Sequence, residues 1–468
     1  MNAFVKSAFA LPTPARTANG MKAQKNTTSP VVDLFYNIGA SRGKNIIPEF
    51  EAAMQADEDL ALRIALWARD VRGGAGEREL FRNILRHMEK THPEILLNTK
   101  LLDKVAEVGR WDDLLVFNYN PAIKSKAFDL IHAALAARNG LAAKWMPRKG
   151  SLAVELRTAL GLSPKAYRKT LVGLSKTVEQ AMCAKEYERI NYEHVPSLAM
   201  SRYMKAFSKN DAARFVAYRE SLKKGEAKVN AGAVYPYDVI KGLKFGGINE
   251  VADAQWAALP NYMNDMNVLP MVDVSGSMCC SAGGNPNLTC LDVSVSLGLY
   301  CADKNKGAYK DMFLTFSGKS ELVQLKGSLS QKHAQLSRAH WEMNTNLHAA
   351  FEEILRVAVA GKVPESDMPQ VVLILSDMQF DQCARYDDSA IEMVRRKYEA
   401  AGYKVPTVVF WNLNASGNAP VSFNEKGVAL ISGFSPAIMK AVLAADFDTL
   451  SPESIVRDAV AIPRYDYK

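Results

Sequence analysis

The sequence predicts a chain in two parts, α followed by α/β. A helical-repeat array, HEAT-like in its stacking, precedes a Rossmann-like domain with a mostly parallel sheet. Three observations predict this. Apolar residues keep helical spacing from residue 31 to about residue 250, with no convincing strand between. Beyond residue 265, short runs of apolar β-formers alternate with helical stretches, the pattern of a parallel sheet covered on both faces. The charge changes at the same place. Residues 1–265 hold 39 basic against 28 acidic side chains, and residues 266–468 hold 19 against 22.

The 468 residues suffice for two or three domains, and 48% apolar with 23% charged residues is ordinary for a soluble globular chain. No run of about 18 uncharged apolar residues exists, so no membrane-spanning helix is expected. Residues 1–30 lack both periodicity and a continuous apolar segment. They read as a disordered tail rather than a signal peptide. Lys6, Arg16, Lys22 and Lys25 precede the first acid, Asp33, which leaves an organelle-targeting segment as the alternative. The six cysteines form no CxxC pair, which points to a reducing, cytoplasmic compartment. Cys279 and Cys280 read as small loop residues, with a zinc or redox role as the alternative.

Residues 31–265 form the helical part. Pro48 opens a short helix, and Asp57 caps the next, Leu60 to Val71. Gly73-Gly74-Ala75-Gly76 breaks it, and a helix over Glu77 to Glu89 follows. Further helices are expected over Leu101–Val108, Ala122–Arg138, Leu152–Leu160, Pro164–Lys185, Ser197–Phe207 and Asn210–Lys223, joined by short loops as in stacked helical hairpins. No clean repeat period appears. Several segments join bases to aromatics. The glycine loop carries Arg72 and Arg78 and suits either a phosphate or close helix packing. Lys144, Arg148 and Lys149 surround Trp145, Arg168 and Lys169 follow Tyr167, and Arg202 and Lys205 flank Tyr203. Such clusters suit phosphate contacts and base stacking on single-stranded nucleic acid. The plainer reading is that the aromatics pack inward while the bases face water.

Residues 266–468 form the α/β part. Strands are expected at Leu269–Val272, Met312–Phe316, Glu321–Leu325, Val371–Asp377, Val405–Trp411 and Val428–Ile431, the second and third as a hairpin. Helices are expected at Leu291–Asp303, Asn346–Ala360, Ser389–Ala401 and from Pro436. Two strands end in acids. The first delivers Asp273, Ser275 and Ser277 at alternate positions, with Gly276 allowing a tight turn. The other ends at Asp377. Thr345 stands just ahead of a helix. These five oxygen-bearing residues make a partial shell for a hard divalent cation, Mg²⁺ in the first place. Mg²⁺ takes about six oxygens and keeps water among them. Ligands in such sheets bind off the carboxyl ends of the strands. Strand-end residues that cap turns offer the plain alternative. Asp381, Asp387 and Asp388 follow Asp377 and read as a solvated loop, or else as a second metal site or an acidic rim.

The set Asp273-x-Ser275-x-Ser277, Thr345, Asp377 resembles the metal-ion-dependent adhesion site of von Willebrand factor A domains, in the same order and on the same elements. A helical array ahead of such a domain resembles the Ro autoantigen family, whose TROVE module forms a ring of helices that binds small noncoding RNA. A nearer likeness is to uncharacterised TROVE-like proteins of plants, bacteria and viruses. It is carried by Trp67–Arg78, Val108–Asp113, Lys144–Arg148 and Tyr167–Lys169. The helical part here is shorter than the Ro ring, so ring closure does not follow from the resemblance. What it implies is a noncatalytic RNA-binding ribonucleoprotein protein. Its A domain would dock an acidic protein partner through the cation, with a phosphate oxygen as the alternative, and without a membrane. A protein–protein adaptor without RNA is the alternative. A metal hydrolase is disfavoured: His348 is the only histidine near the set, and no second carboxylate closely flanks Asp273.

Overall fold

A computed structural model describes residues 13–231, 234–244, 249–263, 266–282, 285–316, 320–338, 345–381, 389–415, 418–447 and 449–468. Helices dominate as far as residue 257, and a six-stranded sheet organises the rest. The expected helices are present within a few residues of their bounds. Asp57 caps Glu58–Arg69 by accepting from the Leu60 N–H at 3.0 Å. The long helix expected over Pro164–Lys185 is two helices, Pro164–Ser175 and Val178–Ala184. Lys176 turns left-handed between them (φ +39°), and Thr177 with Gln180 forms a capping box that starts the second.

The expected disordered tail needs correction. Residues 13–29 are ordered, and residues 1–12 lie outside the described residues. β1 (Pro14–Arg16) and β2 (Lys22–Gln24) pair antiparallel as a small hairpin. Its backbone bridges onward to Asp381, Ser389 and Ala419 of the α/β part. Met21, Ala23 and Thr17 are buried there. The hairpin takes its partners from a surface hundreds of residues away, which local composition does not encode.

In the α/β part the strands are β3 (Val268–Asp273), β4 (Met312–Phe316), β5 (Leu322–Gln324), β6 (Val371–Ser376), β7 (Thr407–Asn412) and β8 (Val428–Ser432). Their order is β5-β4-β3-β6-β7-β8, parallel except for β5. β3, β6, β7 and β8 are buried along their whole length, which is why they read as continuous apolar runs. Helix Cys290–Lys304 lies directly on β3. A Cβ on its Gly298 would meet Val272 Cγ2 at 2.3 Å, so glycine sets that approach. After β3 the chain goes to β4 on one side and then to β6 on the other. The crevice therefore opens at the carboxyl ends of β3 and β6, where Asp273 and Asp377 sit.

One apolar core runs from Met21 to Tyr467 through both parts. A smaller core around Tyr192, Phe207 and Phe215 holds helices Ser197–Asn210 and Ala212–Lys224. The sheet part grips both ends of the helical array. At the first end, Ser432 Oγ donates to Phe35 O at 3.1 Å and accepts from Gly39 N–H at 3.0 Å. Arg464 pairs with Asp70 there, and Tyr465 and Tyr467 are buried. At the last end, Trp256 Nε1 donates to Asp303 at 2.9 Å, and Lys304 Nζ donates to Trp256 O at 3.1 Å. The array and sheet thus close on each other, beyond what the sequence implied.

Candidate metal centre

Asp273 ends β3 wholly buried. Its Oδ1 accepts from the Ser275 N–H at 2.9 Å, and its Oδ2 accepts from the Ser376 hydroxyl at 2.5 Å. Ser275 and Ser277 bring their hydroxyl oxygens within 2.9 Å of each other. Ser277 is exposed and also hydrogen-bonds Asp377. Asp377, just past β6, is buried and accepts from the Gln379 N–H at 3.2 Å. Four of the five predicted residues are thus linked around the end of β3 and β6.

Thr345 is held by other means. Its N–H donates to Asp381 Oδ2 at 3.0 Å, and the Asp381 N–H donates back to Thr345 O at 3.0 Å. The Thr345 hydroxyl is buried and has no hydrogen-bond partner among the described residues. A buried hydroxyl is rarely left unpaired without a reason. Burial also pushes the Asp273 carboxyl up to about 6, against the Ser376 hydrogen bond, with repulsion from Asp377 adding to the rise. Burial raises Asp377 as well, against its Ser277 hydrogen bond. No basic side chain pairs with either carboxylate among the described residues. Two buried acids without a basic partner suit a divalent cation, which would supply the missing positive charge, while the Thr345 hydroxyl hydrogen-bonds to none of the other four. The set holds too few acids, histidines or cysteines to make a metal cluster by those groups alone.

Two residues were missed. Ser376 donates to Asp273 and accepts from the Met378 N–H at 3.0 Å, so it fixes both strand ends. Its only signal was a polar residue closing an apolar run. Asp381, read as solvated loop or acidic rim, instead buttresses Thr345. Asp387 and Asp388 lie outside the described residues. His348 faces Glu352 at 3.5 Å.

The nine basic residues divide. Arg78 is paired with Glu79 at 2.9 Å. Arg72 lines a cleft of about 110 Å³ with Arg110, Trp111, Leu141, Trp145 and Arg464. Lys144 lies 5.3 Å above the half-buried Trp145 ring, and Arg148 donates to Ser175 Oγ at 3.1 Å. Tyr167 is buried and donates to Pro147 O at 2.9 Å, which brings Arg168 and Lys169 beside Arg148 and Lys149. Arg202 and Lys205 are exposed on Ser197–Asn210. The aromatic neighbours thus favour the packing reading. The glycine loop also packs rather than cradles. Gly74, Ala75 and Glu77 give their N–H groups to Asp70, Trp67 and Ala68 carbonyls. A Cβ on Gly74 would meet Trp67 O at 1.9 Å, and one on Gly76 the Tyr235 hydroxyl at 1.9 Å.

An all-helical array sealed by a mostly parallel sheet, with an oxygen cluster at the strand ends, defines a Ro-like fold. The chain is similar over 88% of its length to the Ro (RSR) protein of Deinococcus radiodurans, covering 93% of that chain at TM-score 0.50 and 14% identity. Residues 17–132 and 153–269 match a domain of unknown function, DUF2828, and residues 267–460 match a second, DUF7788. The chain is also 29% identical over 497 aligned positions to uncharacterized protein L728 of Acanthamoeba polyphaga mimivirus, covering 93% of this chain and 86% of that protein. No described helix is long and apolar enough to cross a membrane.

Proposed function

We propose that this is a noncatalytic RNA-binding protein whose strand-end oxygens hold a divalent cation, Mg²⁺ first, for docking an acidic partner. One observation carries the RNA reading. Lys149, Arg168 and Lys169 stand exposed beside Arg148, with no acidic partner among the described residues. Uncompensated cations on a loop, Arg148 and Lys149, and on the helix packed against it, Arg168 and Lys169, are what a phosphate backbone neutralises. Arg202 and Lys205 extend the basic surface on a neighbouring unit, since Tyr203 of that helix donates to Glu179 at 3.0 Å. The likeness to a Ro protein agrees with this reading at the level of fold. The cation reading rests on the orphaned Thr345 hydroxyl and the two unpaired buried carboxylates. Asp273, Ser275, Ser277, Thr345 and Asp377 would hold the ion. Its open position would accept a carboxylate from a partner protein.

Filter binding with a mixed single-stranded RNA pool tests the first part. Replacing Arg148, Lys149, Arg168 and Lys169 by Ala should weaken binding and flatten its salt dependence by roughly 0.7 per lost phosphate contact. Binding that is absent, or indifferent to salt, would favour the adaptor reading instead.

A further inference from the structure

The sulfurs of Cys280 and Cys290 lie 3.5 Å apart, both as free thiols. Their backbones are already paired. Cys290 N–H donates to Cys280 O at 3.0 Å, Ala282 N–H donates to Leu288 O at 2.8 Å, and Ser281 bridges Thr289 antiparallel. Cys280 and Cys290 share one backbone hydrogen bond and close the pairing at that end. The two cysteines therefore stand at the neck of the segment between them with their sulfurs already in contact. Cys280 is partly exposed, whereas Cys290 is buried and donates to Leu413 O at 3.4 Å. On the other side of Cys280, its N–H donates to Ser277 O at 3.2 Å.

We propose that Cys280 and Cys290 form a reversible thiol–disulfide site that ties the turn bearing Ser277 to helix Cys290–Lys304. With glutathione disulfide as oxidant, the Cys280 thiolate attacks one glutathione sulfur and the other glutathione leaves as thiolate. Cys290 then gives up its thiol proton and attacks the Cys280 sulfur of this mixed disulfide. The bond to glutathione breaks, and a second glutathione thiolate leaves. Two protein thiols are oxidised and one glutathione disulfide is reduced. Closing the sulfurs to about 2.05 Å draws Cys280 toward the helix. Through the Cys280–Ser277 hydrogen bond the pull reaches a candidate cation ligand. This coupling rests on the cation reading above, while the cross-link itself does not.

The test uses the full chain, reduced and then equilibrated with glutathione disulfide. Free thiols are alkylated, the chain is cut between residues 280 and 290, and the peptides are read by mass spectrometry. A Cys280–Cys290 cross-link is expected. It should vanish with dithiothreitol and in Cys280→Ser or Cys290→Ser, and persist in Cys279→Ser. In Cys290→Ser, glutathione should remain on Cys280. Exposed Cys183 reports that oxidant was sufficient. Glutathione on Cys183 with Cys280 and Cys290 both alkylated would overturn the proposal, as would a cross-link between Cys279 and Cys280. Mn²⁺ binding to both forms, followed by electron paramagnetic resonance, tests the coupling. Oxidation should weaken binding about tenfold, the low end for disturbing the surroundings of a metal ligand. Equal affinity in both forms would overturn the coupling. No Mn²⁺ bound in either form would overturn the cation reading and leave the disulfide site standing.

Discussion

Asp273 is fully enclosed, and burial lifts its carboxyl from 3.8 to about 6. Between those values the folded chain binds a proton that the unfolded chain has released. Without metal, stability should therefore fall as pH rises from about 4 to 6, by on the order of 3 kcal/mol. Urea melts in a chelator across that window would measure it, and Asp273→Asn should flatten the trend. Thr345 makes the complementary case. Replacing its unpaired hydroxyl in Thr345→Val should leave metal-free stability within about 1 kcal/mol. Mn²⁺ binding should nonetheless drop at least about tenfold, the scale seen when a metal's surroundings are disturbed. Unchanged Mn²⁺ affinity would remove Thr345 from the ligand set. The alternating Asp273, Ser275 and Ser277 were legible because a strand end and a small turn residue leave such oxygens few directions to point. Ser376 was not, because a serine closing an apolar run reads equally as a strand residue or a turn cap.

The hairpin of β1 and β2 reaches the site through the segment after β6. Thr17 Oγ1 donates to Phe380 O at 2.5 Å, Ala18 N–H to Gln379 Oε1 at 2.6 Å, and Asn19 Nδ2 to Gln379 O at 2.8 Å. Deleting residues 1–25 should speed amide exchange over residues 377–381 while leaving the core of β6 protected. Equal exchange in both chains would show that the hairpin is ornamental to that segment. The glycine loop gives a packing test. Gly74→Ala has no room against the Trp67 carbonyl. It should destabilise the chain by about 1–3 kcal/mol, read from the denaturation midpoint. Helices were legible from periodicity because each one carries its own pattern. The break at Lys176 was legible too, had Thr177-x-x-Gln180 been weighed against an unbroken apolar stripe. The hairpin was not legible, because its hydrogen bonds and its burial come from residues over 350 positions distant.

At the scale of the molecule, the two parts meet where the glycine loop, Asp70 and the C-terminal segment converge. Burial pushes Asp70 up, but hydrogen bonds from Arg464, the Arg72 N–H and Tyr465 outweigh it and leave the carboxyl below its usual range. That pairing should stabilise the protein above pH 4 and be lost as acid protonates Asp70. Arg464→Ala should cost on the order of 2–3 kcal/mol, less than for a wholly buried pair because Arg464 is 31% exposed. Limited proteolysis near residue 464 should detect the loosened segment. Charge and periodicity made the two parts legible, but not their closure. That closure is built from single residues such as Arg464 and Ser432, which carry no periodic signal.

Arg464, Tyr465 and Tyr467 lodge among helices that begin near residue 30, so segments nearly 400 residues apart in the chain complete one another. During synthesis the leading helices leave the ribosome with their sockets empty and wait for these side chains to arrive. An amputation after residue 463 should therefore injure the stretch made first rather than the stretch beside the cut.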